Sequence, residues 1–235
     1  MILLQMHSND QKVVITRESI HGIIHHSLSA MYHKNGVGQF KNGDPIKVHT
    51  FWITCCEYEV NEPFVLELRA LGSIEQELNN TLKGKKNIVI NHTTVTIDLC
   101  KRFPVKIDEV LETRMPIIVR KSIKNLAFDT YRTSNQKTIF LTYLDNPTAW
   151  LEAVKDNLFR RAEAVMDKKW IKKAGAPKIR VIRASDARSV LRGMVVRGTR
   201  GVLEISSPWN EIAYNIGLGE RSSYGYGVLI GEGYD

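Results

Sequence analysis

Sulfur and unbroken apolar stretches are scarce in this chain. Its 235 residues hold three cysteines, too few and too unevenly placed for a disulfide framework. Cys55 and Cys56 are neighbours on an expected strand and Cys100 stands alone, a spacing that suits neither paired disulfides nor zinc. Reduced, mostly buried thiols are expected. No apolar run approaches the roughly 18 residues that a spanning helix needs. The opening MILLQMHSND has only a short apolar run and no basic leader, so it reads as a first strand and not as a signal peptide. A cytoplasmic location and no membrane partner are the expectation. No GK[ST] follows the glycine cluster of residues 217–235 and no strand precedes it, which argues against a nucleotide fingerprint.

What is present is an ordinary globular composition, 43% hydrophobic and 25% charged, which excludes gross disorder. The length allows one large domain or two of roughly 110 residues. The net charge of +8 is unevenly placed. Residues 160–200 carry thirteen Lys or Arg against Glu163, Asp167 and Asp186, a local +10, so the remaining residues sum to about −2. Such a segment fits nucleic-acid phosphates, with an anionic membrane, an acidic partner or a plain solvated surface as the alternatives.

Periodicity then supplies an order of elements. After the first strand, Thr16 reads as the cap of a helix that places Ile20, Ile23, Ile24, Leu28 and Met31 on one face and stops at Asn35-Gly36. IKVHTFWITCCEYEV and PFVLELRAL read as strands, GSIEQELNNTLKG as a helix and KNIVINHTTVTIDL as a strand. That order, strand-helix-strand-strand-helix-strand, is the ferredoxin-like plan. The second half repeats it. MPIIVRKSI and KTIFLTYL read as strands, and a long helix capped by Asn146, with Pro147 in its first turn, runs towards Trp170 with Leu151, Val154, Leu158, Ala162 and Val165 buried. Two or three arginine-bearing strands, a short helix PWNEIAYNIG and a last strand YGVLI follow. The fold class expected is α+β, two tandem ferredoxin-like (RRM-like, βαββαβ) domains at 1–112 and 113–235, with a C-terminal glycine-rich loop.

The segment YNIGLGERSSYGYGVL resembles the glycine-rich loop of the CRISPR-associated RAMP superfamily, in particular its endoribonucleases that cut precursor CRISPR RNA within the repeats. PIIVRK, YLDNPTAWLEAVKDNLFRRAE and LRGMVVRGTRGVLEI occur in the order such proteins show. The resemblance implies a metal-independent ribonuclease without cofactor, in which the 2′-OH attacks the adjacent phosphate and leaves 2′,3′-cyclic phosphate and 5′-OH ends. A base, an acid and a cation are then required. His25 matches the first-helix position where the family commonly carries a catalytic tyrosine or histidine, and Lys47 matches the lysine opening its K-hydrophobic-x-T-aromatic strand. The family's histidine shortly before that strand has no counterpart in VGQFKNGDP. His33 is the nearest candidate upstream and His49 the nearest downstream, the latter on the Lys47 strand face by alternation, so that which of His25, His33 and His49 is acid or base stays open, and a plain helix surface also explains His21, His25, His26 and His33. The implied RNA contacts are Arg180, Arg183, Arg188 and Arg192, with Arg197 beside them, and the loop residues Gly217, Gly219, Arg221, Ser222, Gly225 and Gly227. By strict alternation Arg183 lies opposite Arg180. The loop leaves room for either a phosphate backbone or the neighbouring first helix. The expected partner is CRISPR repeat RNA, with other effector subunits and a second copy of the chain as further partners. A RAMP subunit that holds guide RNA without cutting it, and an unrelated RNA-binding protein, are the competing readings.

Overall fold

The computed structural model describes residues 1–29, 32, 36–39, 43, 45–53, 55, 57–122, 138–191 and 193–231. Two antiparallel sheets organise it. Strands β1 (Ile2–His7), β2 (Val13–Val14), β3 (His49–Ile53), β4 (Glu57–Tyr58), β5 (Phe64–Ala70), β6 (Asn87–Ile90) and β7 (Thr93–Arg102) belong to the first half, with helices α1 (Arg17–Ser27) and α2 (Ser73–Lys83). The main sheet runs β3-β5-β1-β7-β6, while β2 and β4 pair apart from it. Strands β8 (Val110–Thr113), β9 (Arg120–Ser122), β10 (Thr138–Phe140), β11 (Ile179–Leu191), β12 (Met194–Ile205) and β13 (Leu229–Gly231) form the second half with α3 (Pro147–Glu163), α4 (Lys168–Ala174) and α5 (Trp209–Ile216). Its sheet runs β11-β12-β8-β13. In each sheet the first strand lies between the third and the fourth, and the second is outermost, which is the ferredoxin-like topology.

Local chemistry explains where the helices begin. The Thr16 hydroxyl accepts from the Ser19 amide at 3.1 Å and the Thr16 amide donates to the Ser19 hydroxyl at 3.0 Å, a reciprocal cap for α1. Asn146 accepts from the Ala149 amide at 3.0 Å and Pro147 fills the first turn of α3. Ile20, Ile23 and Ile24 of α1, and Trp150, Val154, Leu158 and Ala162 of α3, face the core.

Four sequence expectations are corrected. Helix α1 ends at Ser27, not at Asn35-Gly36. Leu28 turns extended while staying buried, the Ser29 amide donates to Glu77 of α2 at 2.7 Å and the Ser29 hydroxyl accepts from the Tyr32 amide at 3.3 Å. A contact from another helix thus ends the run. Helix α3 stops at Glu163 because the Asp167 carboxylate caps a separate helix, accepting from the Trp170 amide at 2.7 Å. MPIIVRKSI and KTIFLTYL form no strand of the second sheet, which Ile117 touches through an isolated bridge to Thr199 of β12, but supply β9 and β10, which pair with each other. The sheet's first strand is instead Val110–Thr113, upstream of Pro116, which has no amide to donate. Of the described thiols neither is buried: Cys55 is exposed and off any strand, and Cys100 is half-buried. Cys56 and Met31 lie outside the described residues.

Candidate active site and RNA interface

Helix α1, the segment entering β3 and the glycine-rich loop converge on one side of the molecule. Tyr32 is the hinge of the cluster. Its hydroxyl accepts from the Val48 amide at 3.0 Å and lies 2.7 Å from Nδ1 of the buried His49. Its carbonyl accepts from Nζ of Lys47 at 2.5 Å, and that ammonium sits 4.7 Å from the Tyr32 ring centre. Lys47 and His49 thus reach the same residue, as two-residue alternation requires. Burial pulls the Lys47 amine down to about 8, and desolvation drives the Tyr32 phenol upward.

His25, in the last turn of α1, is exposed. Desolvation, followed by the positive fields of His26 and Lys47, holds its imidazole below the ordinary 6.5. Of these three causes Lys47 contributes the least. His21, one turn earlier, stacks on Tyr224 with ring centres 4.3 Å apart and Nδ1 3.2 Å from the Ser223 carbonyl, and its ring lies 6.4 Å from His25 and 6.3 Å from His49. Among the described residues, His21, His25 and His49 thus share one neighbourhood, with the His26 ring 6.0 Å from that of His25. His33 lies outside the described residues.

The glycine loop faces this cluster with backbone held by protein. A 3-10 turn, Ser222–Tyr224, sits between Arg221 and Gly225, both left-handed. A Cβ at Gly225 would lie 2.8 Å from Nη1 of Arg17 and 3.0 Å from the Phe51 carbonyl oxygen, and one at Gly227 only 2.0 Å from the Leu218 carbonyl oxygen. Only glycine fits either place. Gly217, Gly219 and Ser222 are also buried, whereas Arg221 is exposed. At Gly225 the space is taken by Arg17 of the first helix, which donates to the Tyr224 carbonyl at 3.1 Å with its guanidinium 4.9 Å from the Tyr226 ring centre, while Gly217 and Gly227 pack on the loop's own backbone and Gly219 on Ile117 and Ile118.

Two buried arginines, neither expected as a site residue, tie the halves together at this point. Arg161 of α3 donates to the carbonyls of Lys47 at 2.8 Å, Ile216 at 2.6 Å and Gly217 at 3.1 Å. Burial lowers its pKa to about 10, so it stays charged at neutral pH. Arg69 of β5 pairs with Glu67, donates to the Tyr214 carbonyl at 3.2 Å and the Leu229 carbonyl, and stacks on the Tyr214 ring at 3.7 Å. Nothing local marks them, except that Arg161 occupies the apolar stripe of α3, where a charge is costly unless bonded.

The arginines of the β11–β12 hairpin divide differently from strict alternation. A bulge between Val181 and Arg183 pairs Arg180 with Glu204 and Arg183 with Val202, and residues 202 and 204 share a face. Arg180 and Arg183 therefore lie on the same face, not opposite ones. There Arg180 pairs with Glu204, and Arg183 lies 3.7 Å from Glu112. Arg188 faces Arg197 across the other side, and Arg197 is held by Asp186 at 2.9 Å and Asp145 at 3.4 Å. Arg192 lies outside the described residues.

Residues 101–230, more than half of the chain, match the family model described as CRISPR associated protein Cas6, C-terminal. Among curated proteins none matches in sequence. A solved CRISPR associated protein Cas6 is similar at 18% identity over 98% of both chains, with a TM-score of 0.66. A Cas6-related protein from Pyrococcus furiosus reaches 16% and 0.66 over 97% of this chain and 96% of its own. A RAMP protein described as binding different RNA substrates reaches 14% and 0.63 over 97% of each. At such identities the likeness speaks to the fold, two tandem ferredoxin-like units, and it agrees with both strand orders above. Together with the match over residues 101–230, it places this chain in the CRISPR-associated Cas6 family, which processes CRISPR RNA.

Proposed function

We propose that the chain is a metal-independent endoribonuclease that cuts CRISPR repeat RNA through attack of a 2′-OH on the adjacent phosphate. The observation that carries this reading is the meeting of Lys47 and His49 at Tyr32, with the His21 ring between those of His49 and His25 and stacked on Tyr224 of the glycine loop. The neutral imidazole of His25 takes the 2′-proton, since its pKa is held below the usual value and it is exposed to substrate. The Lys47 ammonium offsets the charge that grows on the five-coordinate phosphate. The 5′-oxygen must gain a proton as it leaves. His33, next in sequence to Tyr32, is the acid in this reading, and buried His49 holds Tyr32 in place. RNA phosphates are held by Arg180, Arg183, Arg188, Arg192 and Arg221, while the glycines and Ser222 shape the loop against α1.

The test is cleavage of an end-labelled repeat RNA in EDTA, beside a repeat with hydrogen in place of the 2′-OH at the cut. A single cut is expected that survives EDTA and disappears with the deoxy substrate. His25→Ala and Lys47→Ala should each slow it by about 100-fold or more, and His33→Ala tests the acid. Tight repeat binding with no cut by the wild type would instead assign the chain to RNA-holding RAMP subunits.

A further inference from the structure

Helix α4 carries a charged face that neither the fold nor the cutting site uses. Its sequence is KKWIKKA. At 100° per residue, Lys168, Lys172, Lys169 and Lys173 fall within one arc of about 140°, and Trp170, Ala174 and Ile171 fill the opposite one. The apolar side is anchored. Trp170 meets Trp209 edge-on with ring centres 5.3 Å apart, and the Ala174 carbonyl accepts from the Trp209 indole at 3.4 Å. All four lysines are exposed, as is Lys178 just beyond the helix. None of the five takes part in an ion pair among the described residues. The nearest acids in the chain, Glu163 and Asp167, precede the helix, and the Asp167 carboxylate caps it.

Lys168 with Lys172 and Lys169 with Lys173 are like-charge pairs one turn apart, which weaken a helix that is already short. A surface arranged only for solubility has no need of them. Helix α5 links the two places: Trp209, at its start, holds the apolar side of α4, and Ile216, at its end, accepts from Arg161, which also bonds the Lys47 carbonyl. These two anchors are seven residues of helical rise apart, about 10 Å, and the lysines lie on the side of α4 turned away from Trp209.

We propose that the lysine face of α4 is a sequence-independent phosphate track, on which RNA leaving the cut site is held. This inference rests on the reading of the chain as a repeat-RNA nuclease, but its signature is separate. Flexible ammonium groups bind phosphate as point charges and read no base. Their contribution therefore appears in the salt dependence of binding, not in sequence preference or in the chemical step.

The experiment measures the affinity of the full chain and of K168Q/K169Q/K172Q/K173Q for three RNAs across salt concentrations. These are a deoxy-blocked repeat cut down to the immediate cleavage region, the same repeat with its flanking sequence, and an unrelated RNA of equal length. The four positions are exposed, and an unchanged melting curve checks that the variant is folded. The expected result is a salt slope smaller by about 2–3 for the two long RNAs, from about 0.7 per lost contact with single-stranded RNA. The short RNA should keep its affinity, and single-turnover cleavage of bound substrate should keep its rate. An unchanged slope on the long RNAs overturns the proposal. Vesicles containing phosphatidylserine are a fourth ligand in the same comparison, and a loss confined to them also overturns the proposal and makes the face a membrane contact. A wild type that binds both long RNAs with the lysine-dependent slope yet never cuts the repeat keeps the track and removes the nuclease reading, whereas one that binds no RNA removes both.

Discussion

At Tyr32 a buried hydroxyl serves two partners, the Val48 amide and His49. Removing it in Tyr32→Phe leaves a buried amide and a buried imidazole short of a partner, at a cost of about 1–3 kcal/mol. A lower melting temperature together with a lower kcat is expected, with KM nearly unchanged. His25 and His21 should separate in the same assays. His25 is exposed, so His25→Ala should leave the melting temperature within about 2 °C while removing cleavage. His21→Ala, which breaks the stack on Tyr224, should lower stability. The pH profile follows from the two perturbed groups. With His25 below its ordinary value and needed neutral, the rising limb is complete by neutral pH. The Lys47 ammonium, needed charged, is lost as pH rises through about 8, where the rate should fall. Lys47→Arg, if it retains cleavage, should carry the plateau above pH 9, since guanidinium does not titrate there. A falling limb that stays at pH 8 in that variant would remove Lys47 from the role of cation.

Among the elements, what the sequence made legible was what neighbouring residues decide. Thr16 and Asn146 cap helices with their own side chains, and both starts were readable. The end of α1 was not, because Glu77 on another helix holds Ser29. The bulge after Val181 likewise belongs to strand pairing, and no residue type announces it. His25 and Lys47 were named from the family pattern. Tyr32, Arg161 and the place of His21 in the cluster stayed hidden, since each acts through a contact distant in sequence. The glycine loop tests this directly. Gly225→Ala places a side chain at positive φ and against Arg17 and Phe51, so a loss of at least about 1–2 kcal/mol is expected. Gly43→Ala, with open space around it among the described residues, suffers only the backbone strain, and thermal melts of the two variants compare clash with strain.

For the molecule as a whole, Arg69 and Arg161 form a reciprocal lock. Arg69 comes from the first half and bonds carbonyls of the second, and Arg161 comes from the second and bonds Lys47 of the first. Arg161→Met would leave three inward carbonyls without their donor. A loss near 3 kcal/mol is expected, roughly 6–12 °C in melting temperature, together with weaker cleavage because the segment bearing Lys47 is released. An Arg161→Met protein that melts like the wild type would show the lock to be decorative.

That reciprocity limits how the protein can diversify. A half transplanted from a distant relative carries its own arginine but meets carbonyls spaced for another, so each seam has a charge with no matching socket. Recombination between relatives should therefore yield working chimeras only when both arginines and both receiving turns travel together. The two similar halves are then expected to be inherited as one unit.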